Sequence, residues 1–339
     1  MTGSLNLGNT MKILAVDDNS ITLELLKMMA AQLGFTDIST VTSGEIALNL
    51  INTRDVFFDC LLLDISMPDM NGVELCGLIR AVPAYSKTPI IMLTGMTDKY
   101  NIDRAFLAGA TDYATKPFNI LELNARLRAA EAMVDSKKIV VKTGTTKTDQ
   151  TQSDVTDRQL SDLLEEVQIK GTNALIEYDA LRNYLAQLSR TGLASSQVIA
   201  VKIDHIKNLY AKASADEFLY IITEVVLAIG DGMKENSHMI AYAGSGNFLV
   251  ISSKASMESS VKIELEIQNF LDGRDIEYDN GDPIDIEVSI GNPIRPSFDT
   301  SQQGRKTFSR AIARAESRAV RKQNEPRIPH IRLIGKRRL

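Results

Sequence analysis

Short apolar runs alternate with amphipathic segments through the N-terminal part of the chain. The apolar runs that predict buried strands are residues 12–16, Ile38–Val41, 56–63, 89–93 and Asp112–Thr115. The amphipathic segments that predict helices are residues 21–33, 45–51, 73–80, Lys99–Leu107 and 120–133. This alternation is typical of an α/β domain whose parallel sheet carries helices on both faces. We therefore predict a doubly wound (βα)5 domain over residues 11–134.

Polar residues follow the apolar runs where the strands should end. They are Asp17, Asp18, Asp64, Thr94 and Lys116. Because the C-terminal ends of parallel strands lie along one edge of an open sheet, these side chains should converge in one crevice. Three carboxylates that close together repel one another unless a cation joins them. Mg²⁺ fits this role, because it takes oxygen ligands and commonly bridges to phosphate oxygens.

Transfer of a phosphoryl group is the chemistry that suits this crevice. Asp64 is the candidate nucleophile, since a carboxylate can accept a phosphoryl group as an acyl phosphate. The Lys116 ammonium and the Thr94 hydroxyl can hold the phosphoryl oxygens, and such catalysis is mostly positioning and charge neutralisation. Taken singly, a strand-end Asp is usually a cap or turn residue, and Thr94 could cap a helix. The occurrence of all five residues at predicted strand ends favours a phosphoryl-transfer site over these ordinary structural roles.

Four motifs in this domain resemble the receiver domain of two-component response regulators. They are KILAVDDN (12–19), LLLDISMPDMNG (61–72), IIMLTG (90–95) and DYATKPF (112–118). The resemblance implies a flavodoxin-like fold in which Asp64 takes a phosphoryl group from a sensor histidine kinase or a phosphotransfer protein. It also implies that Asp18 contacts Mg²⁺ directly, that Asp17 does so mostly through water, and that the Ser66 main-chain carbonyl adds a ligand.

The same resemblance identifies residues that respond to phosphorylation. Thr94 and Tyr113 match the positions that move in such domains, although Tyr113 taken alone would be an ordinary strand aromatic. The Lys116–Pro117 peptide bond is expected to be cis, since cis bonds are essentially confined to X-Pro. The surface around residues 99–106 and 120–128 should then change its preferred partner.

Length and composition set the limits for the rest of the chain. Its 339 residues suggest two domains, and 44% hydrophobic content is ample for globular cores. A net charge of −5 argues against bulk affinity for nucleic acid. Cys60 and Cys76 are expected to be small buried hydrophobes in a reducing compartment. Because no apolar run is long enough to span a bilayer, we expect a cytoplasmic protein with no membrane partner.

Residues 135–170 are predicted to join the two domains as a linker and connecting helix. Residues 135–156 are rich in Lys, Thr, Asp, Ser and Gln and should be flexible. The apolar spacing of one helix face follows at Leu160, Leu163, Leu164 and Val167. That face could dock onto the second domain or form a homodimer. The basic tail over residues 329–339 is expected to be solvated, with contact to acidic partners or nucleic acid as the alternative.

Residues 171–328 predict a second domain of the α+β class. The predicted strands are Gln197–Ile203, 239–243, 248–252 and 284–290, and the predicted helices are residues 216–229, 261–271 and 310–322. Their order is β-α-β-β-α-β with a closing helix, which is a split βαβ pattern. Residues 244–247 (GSGN) supply the turn of a hairpin.

The second domain resembles the GGDEF domain of diguanylate cyclases. The local matches are VKIDHIKN (201–208), AYAGSGNFLVI (241–251), IEVSIGNP (286–293) and AIARAESRAVRKQNE (311–325). The signature itself is broken, because the chain reads GSGNF at residues 244–248. By the motif match, the two metal-binding carboxylates of the family fall on Lys202 and Gly246, which cannot chelate Mg²⁺. A guanine-binding position falls on Tyr210, and the product-binding pair before the turn is missing.

These departures predict a degenerate GGDEF-like output domain without cyclase activity. We therefore expect a response regulator of a phosphorelay that is no enzyme beyond its own phosphorylation and acts on a downstream partner by protein contact. An active diguanylate cyclase, or a module that binds GTP or cyclic di-GMP, is the alternative. No nucleic acid partner is expected, because no helix-turn-helix pattern follows the linker and the chain is acidic.

Overall fold

The computed structural model describes residues 11–53, 55–95, 99–143, 175–233, 238–253, 259–296 and 303–324. The apolar stripe at residues 160–167 and the basic tail at residues 329–339 lie outside the described residues, so both remain predictions. In the part of the chain that is described, no helix combines the length and the apolar character needed to cross a bilayer.

A five-stranded parallel sheet in the order β2-β1-β3-β4-β5 forms the first domain. Its strands are β1 (Ile13–Val16), β2 (Ile38–Val41), β3 (Cys60–Asp64), β4 (Ile90–Thr94) and β5 (Asp112–Thr115). Its helices are α1 (Ser20–Gln32), α2 (Gly44–Thr53), α3 (Gly72–Arg80), α4 (Lys99–Leu107) and α5 (Ile120–Thr143). Strands β1, β3 and β4 are buried throughout, as expected for parallel strands covered on both faces. The sheet order confirms the predicted flavodoxin-like fold.

Two asparagines begin the helices that border the strand ends. Asn19 Oδ1 accepts a hydrogen bond of 2.9 Å from the main-chain N–H of Ile21 and caps α1. Asn71 Oδ1 accepts one of 2.9 Å from the N–H of Glu74 and caps α3. Each cap turns the chain away from the sheet soon after a strand, which leaves the intervening acidic residues at the sheet edge.

Strand β3 begins at Cys60, whereas the apolar run predicts residue 56. Val56 and Phe57 are 38% and 52% exposed, and the Phe57 ring stacks on Tyr85 at 4.8 Å. The carboxylate of Asp59 accepts the main-chain N–H of Lys12 at 2.8 Å. These contacts hold the segment before Cys60 outside the sheet.

Helix α5 is longer than the sequence predicts. Residues 135–143, which composition assigns to the flexible linker, continue the helix to Thr143. Nothing in that segment breaks a helix, because no Gly or Pro occurs before Gly144. The linker prediction is therefore corrected for residues 135–143. The Lys116–Pro117 bond ahead of α5 is cis, as expected.

A four-stranded antiparallel sheet in the order β7-β8-β6-β9 forms the second domain. Its strands are β6 (Gln197–Ile203), β7 (His238–Tyr242), β8 (Asn247–Ser252) and β9 (Val288–Ile290). Its helices are α6 (Tyr178–Gln187), α7 (Arg190–Ala194), α8 (Ile206–Lys212), α9 (Ala215–Gly232), α10 (Ser260–Asp272) and α11 (Gln303–Asn324). The predicted β-α-β-β-α-β order is present, although β9 is shorter and α11 longer than predicted. Helices α6, α7 and α8 were not predicted.

The apolar residues of β6 divide between two cores. Ile199 and Val201 pack with residues of α9 and α10, such as Phe218 and Ile267. Val198 and Ala200 belong to the other core, which includes residues of α6 and α11. The core that contains Val198 and Ala200 continues into the first domain, so the two domains share one hydrophobic cluster.

Candidate functional site

Three carboxylates meet at the C-terminal edge of the first sheet. Asp17 and Asp18 follow β1, and Asp64 ends β3, the strand paired with β1. One oxygen of each lies within 4.8 Å of the others. Asp17 and Asp64 are buried, whereas Asp18 is exposed, so the group opens to solvent on one side. The structure thus brings together the three acids that the sequence predicts.

Lys116 joins two of these acids from the loop after β5. Its Nζ lies 2.6 Å from Asp17 Oδ2 and 2.8 Å from Asp64 Oδ1. The main-chain N–H of Lys116 donates a hydrogen bond of 2.7 Å to the carbonyl oxygen of Thr94. The loop is thereby fixed to the end of β4, and the ammonium lies where it can contact both carboxylates.

The environment of this pair shifts both of its pKa values upward. Burial raises the pKa of Asp64, although the hydrogen bond and charge of Lys116 oppose that rise. Burial alone would lower the pKa of the Lys116 ammonium, but its hydrogen bonds to Asp17 and Asp64 outweigh burial and raise it. Lys116 therefore stays charged in the physiological pH range.

The donor set fits a hard divalent cation. The three carboxylates supply oxygen ligands, and among the described residues the Lys116 ammonium is the one cation paired with them, so this group carries excess negative charge when ionised. Mg²⁺ prefers oxygen ligands and keeps several waters, which the exposed side of Asp18 allows. The Ser66 main-chain N–H donates to the Asp64 carboxylate, so Ser66 borders this group. The role of its carbonyl as a ligand stays a prediction.

Thr94 and Tyr113 lie on the two strands beyond β3. Thr94 ends β4 and is buried, and Tyr113 on β5 pairs with Met92 of β4. The Tyr113 hydroxyl donates a hydrogen bond of 3.2 Å to the main-chain carbonyl of Gln187 in the second domain. Sequence reasoning did not identify Gln187, because nothing local to α6 indicates its partner.

Comparison with known proteins decides what this arrangement is. Residues 13–128 match the family described as "Response regulator receiver domain". This segment contains the acids, Thr94, Tyr113 and Lys116. Residues 13–128 are a response regulator receiver domain.

Curated relatives share part of their length with this chain. The transcriptional regulatory protein YvrH of Bacillus subtilis is 39% identical over 117 residues, which cover 34% of this chain and 47% of that protein. The DNA-binding response regulator MtrA of Mycobacterium tuberculosis is 39% identical over 118 residues, which cover 35% of this chain and 49% of that protein. The chain therefore spans about half the length of these relatives.

A solved structure also overlaps the chain. The crystal structure of a putative response regulator from Chloroflexus aurantiacus is 34% identical and covers 36% of this chain and 97% of its own, with a TM-score of 0.34.

Lys202 and Gly246 occupy the positions of the second domain where the GGDEF resemblance places metal-binding carboxylates, and neither offers a carboxylate oxygen. Lys202 Nζ lies 3.3 Å from the carbonyl oxygen of Ser245 in the hairpin turn and 4.0 Å from the Glu316 carboxylate. Gly246 has a φ of +75°, and a Cβ there would lie 2.9 Å from Ile206. Within the described residues, the receiver acids are the one group of three potential metal ligands. The Lys202 ammonium therefore lies beside the hairpin turn, where the resemblance would place a metal-binding carboxylate.

Cations of helix α11 are directed into the second domain. Arg318 pairs with the buried Glu264 at 2.8 Å, and Lys322 lies 3.7 Å from Asp204. Asp204 also accepts a hydrogen bond of 2.8 Å from the Ser289 hydroxyl. Burial raises the pKa of Asp204, with Ser289 and Lys322 opposing the rise. Sequence reasoning missed these ion pairs, which join helix α11 to the acids Glu264 and Asp204.

Proposed function

We propose that the chain is a response regulator of a phosphorelay in which Asp64 accepts a phosphoryl group from a sensor histidine kinase or a phosphotransfer protein. The observation that carries this proposal is the Lys116 ammonium, which contacts both Asp17 and Asp64 beside Asp18 at the edge of the sheet. The family match of residues 13–128 supports it.

The step forms one bond and breaks another. A carboxylate oxygen of Asp64 attacks phosphorus as the bond between phosphorus and the donor histidine nitrogen breaks, and that nitrogen keeps the electron pair. Lys116 holds a phosphoryl oxygen, and the Thr94 hydroxyl approaches another. Asp17, Asp18 and Asp64 would hold Mg²⁺, which supplies charge neutralisation when bound.

Labelling with a small phosphodonor tests this function. The purified protein is incubated with acetyl phosphate and Mg²⁺, and the acyl phosphate is measured by intact mass. We expect labelling that Asp64→Asn abolishes and that Asp37→Asn, a change at a partly exposed acid paired with Lys12, leaves intact. Equal labelling of the Asp64→Asn protein would exclude Asp64 as the acceptor.

The second domain is proposed to act as an output domain through protein contact rather than as a cyclase. Support comes from Lys202 beside the hairpin turn and from the internal pairs of Arg318 and Lys322. Incubation of the phosphodonor-treated protein with GTP tests the alternative. Production of cyclic di-GMP would contradict the proposal, and calorimetry with GTP and cyclic di-GMP would detect binding without turnover.

The expectation of no nucleic acid partner stays a prediction, and the relatives do not support it. MtrA is named a DNA-binding response regulator and YvrH a transcriptional regulatory protein. A mobility-shift titration with duplex DNA, with and without beryllofluoride as an imitator of the acyl phosphate, distinguishes the two outputs. A shift that requires beryllofluoride would favour transcriptional control over protein contact.

A further inference from the structure

Helix α11 has an exposed side, which we call its outer face, formed by Arg305, Lys306, Arg310, Ala313, Val320 and Arg321. The other three cations of the helix are turned into the domain. Arg314 donates to the Pro293 carbonyl at 2.8 Å, and Arg318 and Lys322 contact acids. Among the described residues, no acid pairs with Lys306 or Arg310. The outer face therefore presents positive charge to solvent, although the whole chain has a net charge of −5.

An apolar line runs between these exposed cations. Ala313 and Val320 are seven residues apart, so they lie on the same side of the helix, away from the buried Ala311. Val320 is 57% exposed, and the aliphatic stems of the neighbouring cations extend the apolar area. Glu316, the one acid of the helix, lies at the border of the face, 4.0 Å from Lys202. An apolar centre with a charged rim is typical of a surface that binds protein.

One segment of this chain has the complementary composition. Residues 157–167 (DRQLSDLLEEV), which lie outside the described residues, contain four acids and one cation. Their apolar residues have the spacing of one helix face and are Leu160, Leu163, Leu164 and Val167. Placed on the outer face of α11, this segment would cover the apolar line with its leucines and neutralise the cations with its acids.

The chain is long enough to bring the segment to α11. The structure describes Leu175, which bridges Ile240 of β7, and α6 follows directly. The Tyr178 ring at the start of α6 lies 5.8 Å from the Phe308 ring of α11, so the two helices are neighbours on one face of the sheet. From Val167 to Leu175 the chain extends up to about 27 Å, more than twice the width of a helix. The segment can therefore pass α6 and reach the outer face.

Helix α10 is the rival surface in the second domain. It exposes Val261 and Leu265, at 66% and 53%. However, α10 packs in the core on the opposite face of the sheet, away from α6. Its exposed cation, Lys262, already pairs with Glu266 at 3.7 Å. Both the path of the chain and the charge therefore favour α11 over α10.

We propose that residues 157–167 dock on the outer face of α11 in the same chain. The docked segment is held by its apolar stripe against Ala313 and Val320 and by its acids against Arg310 and Arg321. Docking fixes this part of the connection to the second domain. It requires no phosphoryl group on Asp64, so it stands apart from the proposed function.

Hydrogen exchange of the full chain tests the docking. An isolated segment of this length holds little helix in water, so slow exchange of its amides reports docking. Amides of residues 157–167 should exchange at least about tenfold more slowly than those of a synthetic peptide of the same sequence. Arg310→Glu with Arg321→Glu should speed this exchange about tenfold, because two ion pairs are replaced by repulsion. Lys207→Glu with Lys212→Glu, the same charge change at exposed positions of α8, should leave it unaltered.

A charge exchange separates docking from a general loss of structure. In the protein with both α11 substitutions, Glu165→Arg with Glu166→Arg should restore slow exchange. Peptide-like exchange in the unaltered protein would overturn the proposal, as would equal effects of the α8 and α11 substitutions. Sedimentation velocity identifies the chain that supplies the segment. A dimer that the α11 substitutions dissociate would assign the segment to a second copy and overturn docking within one chain. Since no phosphodonor is used, failure of docking leaves the assignment of Asp64 unaffected.

Discussion

Gly72 packs so closely against the main chain of Asp64 that a Cβ atom on it would overlap the Asp64 carbonyl oxygen. The Gly72 N–H also donates a hydrogen bond of 3.1 Å to the carbonyl of Ile65. We expect Gly72→Ala to lower the free energy of unfolding by about 1–3 kcal/mol, because overpacking forces the main chain apart. Since the displaced chain carries the phosphoacceptor, acetyl phosphate labelling should slow as well. Urea denaturation followed by circular dichroism measures the first effect.

Gly77 is the control for that substitution. It lies in the same helix, and a Cβ there meets no atom within 4 Å. Gly77→Ala should stabilise the protein by roughly 0.5–1 kcal/mol, the usual difference between these residues inside a helix. Equal effects of the two substitutions would show that the close approach at Gly72 is unimportant.

The stability of the chain should depend on pH through Asp112. Burial raises the pKa of Asp112 from 3.8 to about 6, although Arg126, the Tyr113 N–H and Gln187 oppose the rise. Because the folded state holds this proton more tightly than the unfolded state, Asp112 contributes stability below pH 3.8 that is lost as pH rises through about 6. The loss should be on the order of 2–3 kcal/mol.

Asp112→Asn isolates that contribution, because Asn does not titrate and can still accept from Gln187. The free energy of unfolding is measured in urea across this pH range for both proteins. The unaltered protein minus the variant should give a difference that falls with increasing pH and then levels off. A flat difference would contradict the raised pKa. Subtraction is needed because the pKa values of Asp64 and Asp204 are raised too.

The buried pair of Glu264 and Arg318 should stabilise the second domain. Glu264 Oε1 lies 2.8 Å from Arg318, and Oε2 accepts the Ile290 N–H at 2.8 Å. Arg318→Leu should cost about 3 kcal/mol, because it leaves a buried carboxylate without its partner. Arg321→Leu, a change at an exposed position of the same helix, should have little effect. Glu264→Gln in the Arg318→Leu protein should restore part of the loss, and thermal unfolding measures all three.

Lys116→Met should make the receiver domain depend on magnesium for stability. Removing the ammonium leaves Asp17 and Asp64 adjacent and uncompensated, which should cost about 1–3 kcal/mol in metal-free buffer, since Lys116 is partly exposed. The stabilisation by added Mg²⁺ should exceed that of the unaltered protein. Parallel unfolding titrations with and without Mg²⁺ measure the difference. An equal response in both proteins would argue against a metal site at these acids.

The strand-edge site could be predicted from the sequence because parallel-sheet topology alone brings strand ends together. Asp17, Asp64 and Lys116 needed no accurate strand boundaries to be placed in one crevice. The start of β3 was misplaced, since apolar residues such as Phe57 can pack outside a sheet. Residues 135–143 were assigned to the linker on composition, which does not exclude a helix that has already begun.

The contact between α6 and β5 could not be predicted, because its partners are 72 to 81 residues apart. Ala180, Leu181, Tyr184 and Leu185 give a helical apolar stripe that could have identified α6. Asn183 and Gln187 look like ordinary solvated residues of such a helix. Which surface the helix covers is decided by tertiary packing.

The grip of α6 on β5 joins two parts of a single polypeptide. Dilution therefore cannot separate the two domains. A second protein that binds β5 must compete with α6, whose effective concentration does not depend on the protein concentration of the sample. A partner that binds the same strand would therefore bind weakly while Gln187 contacts Tyr113, and more strongly once that contact is broken.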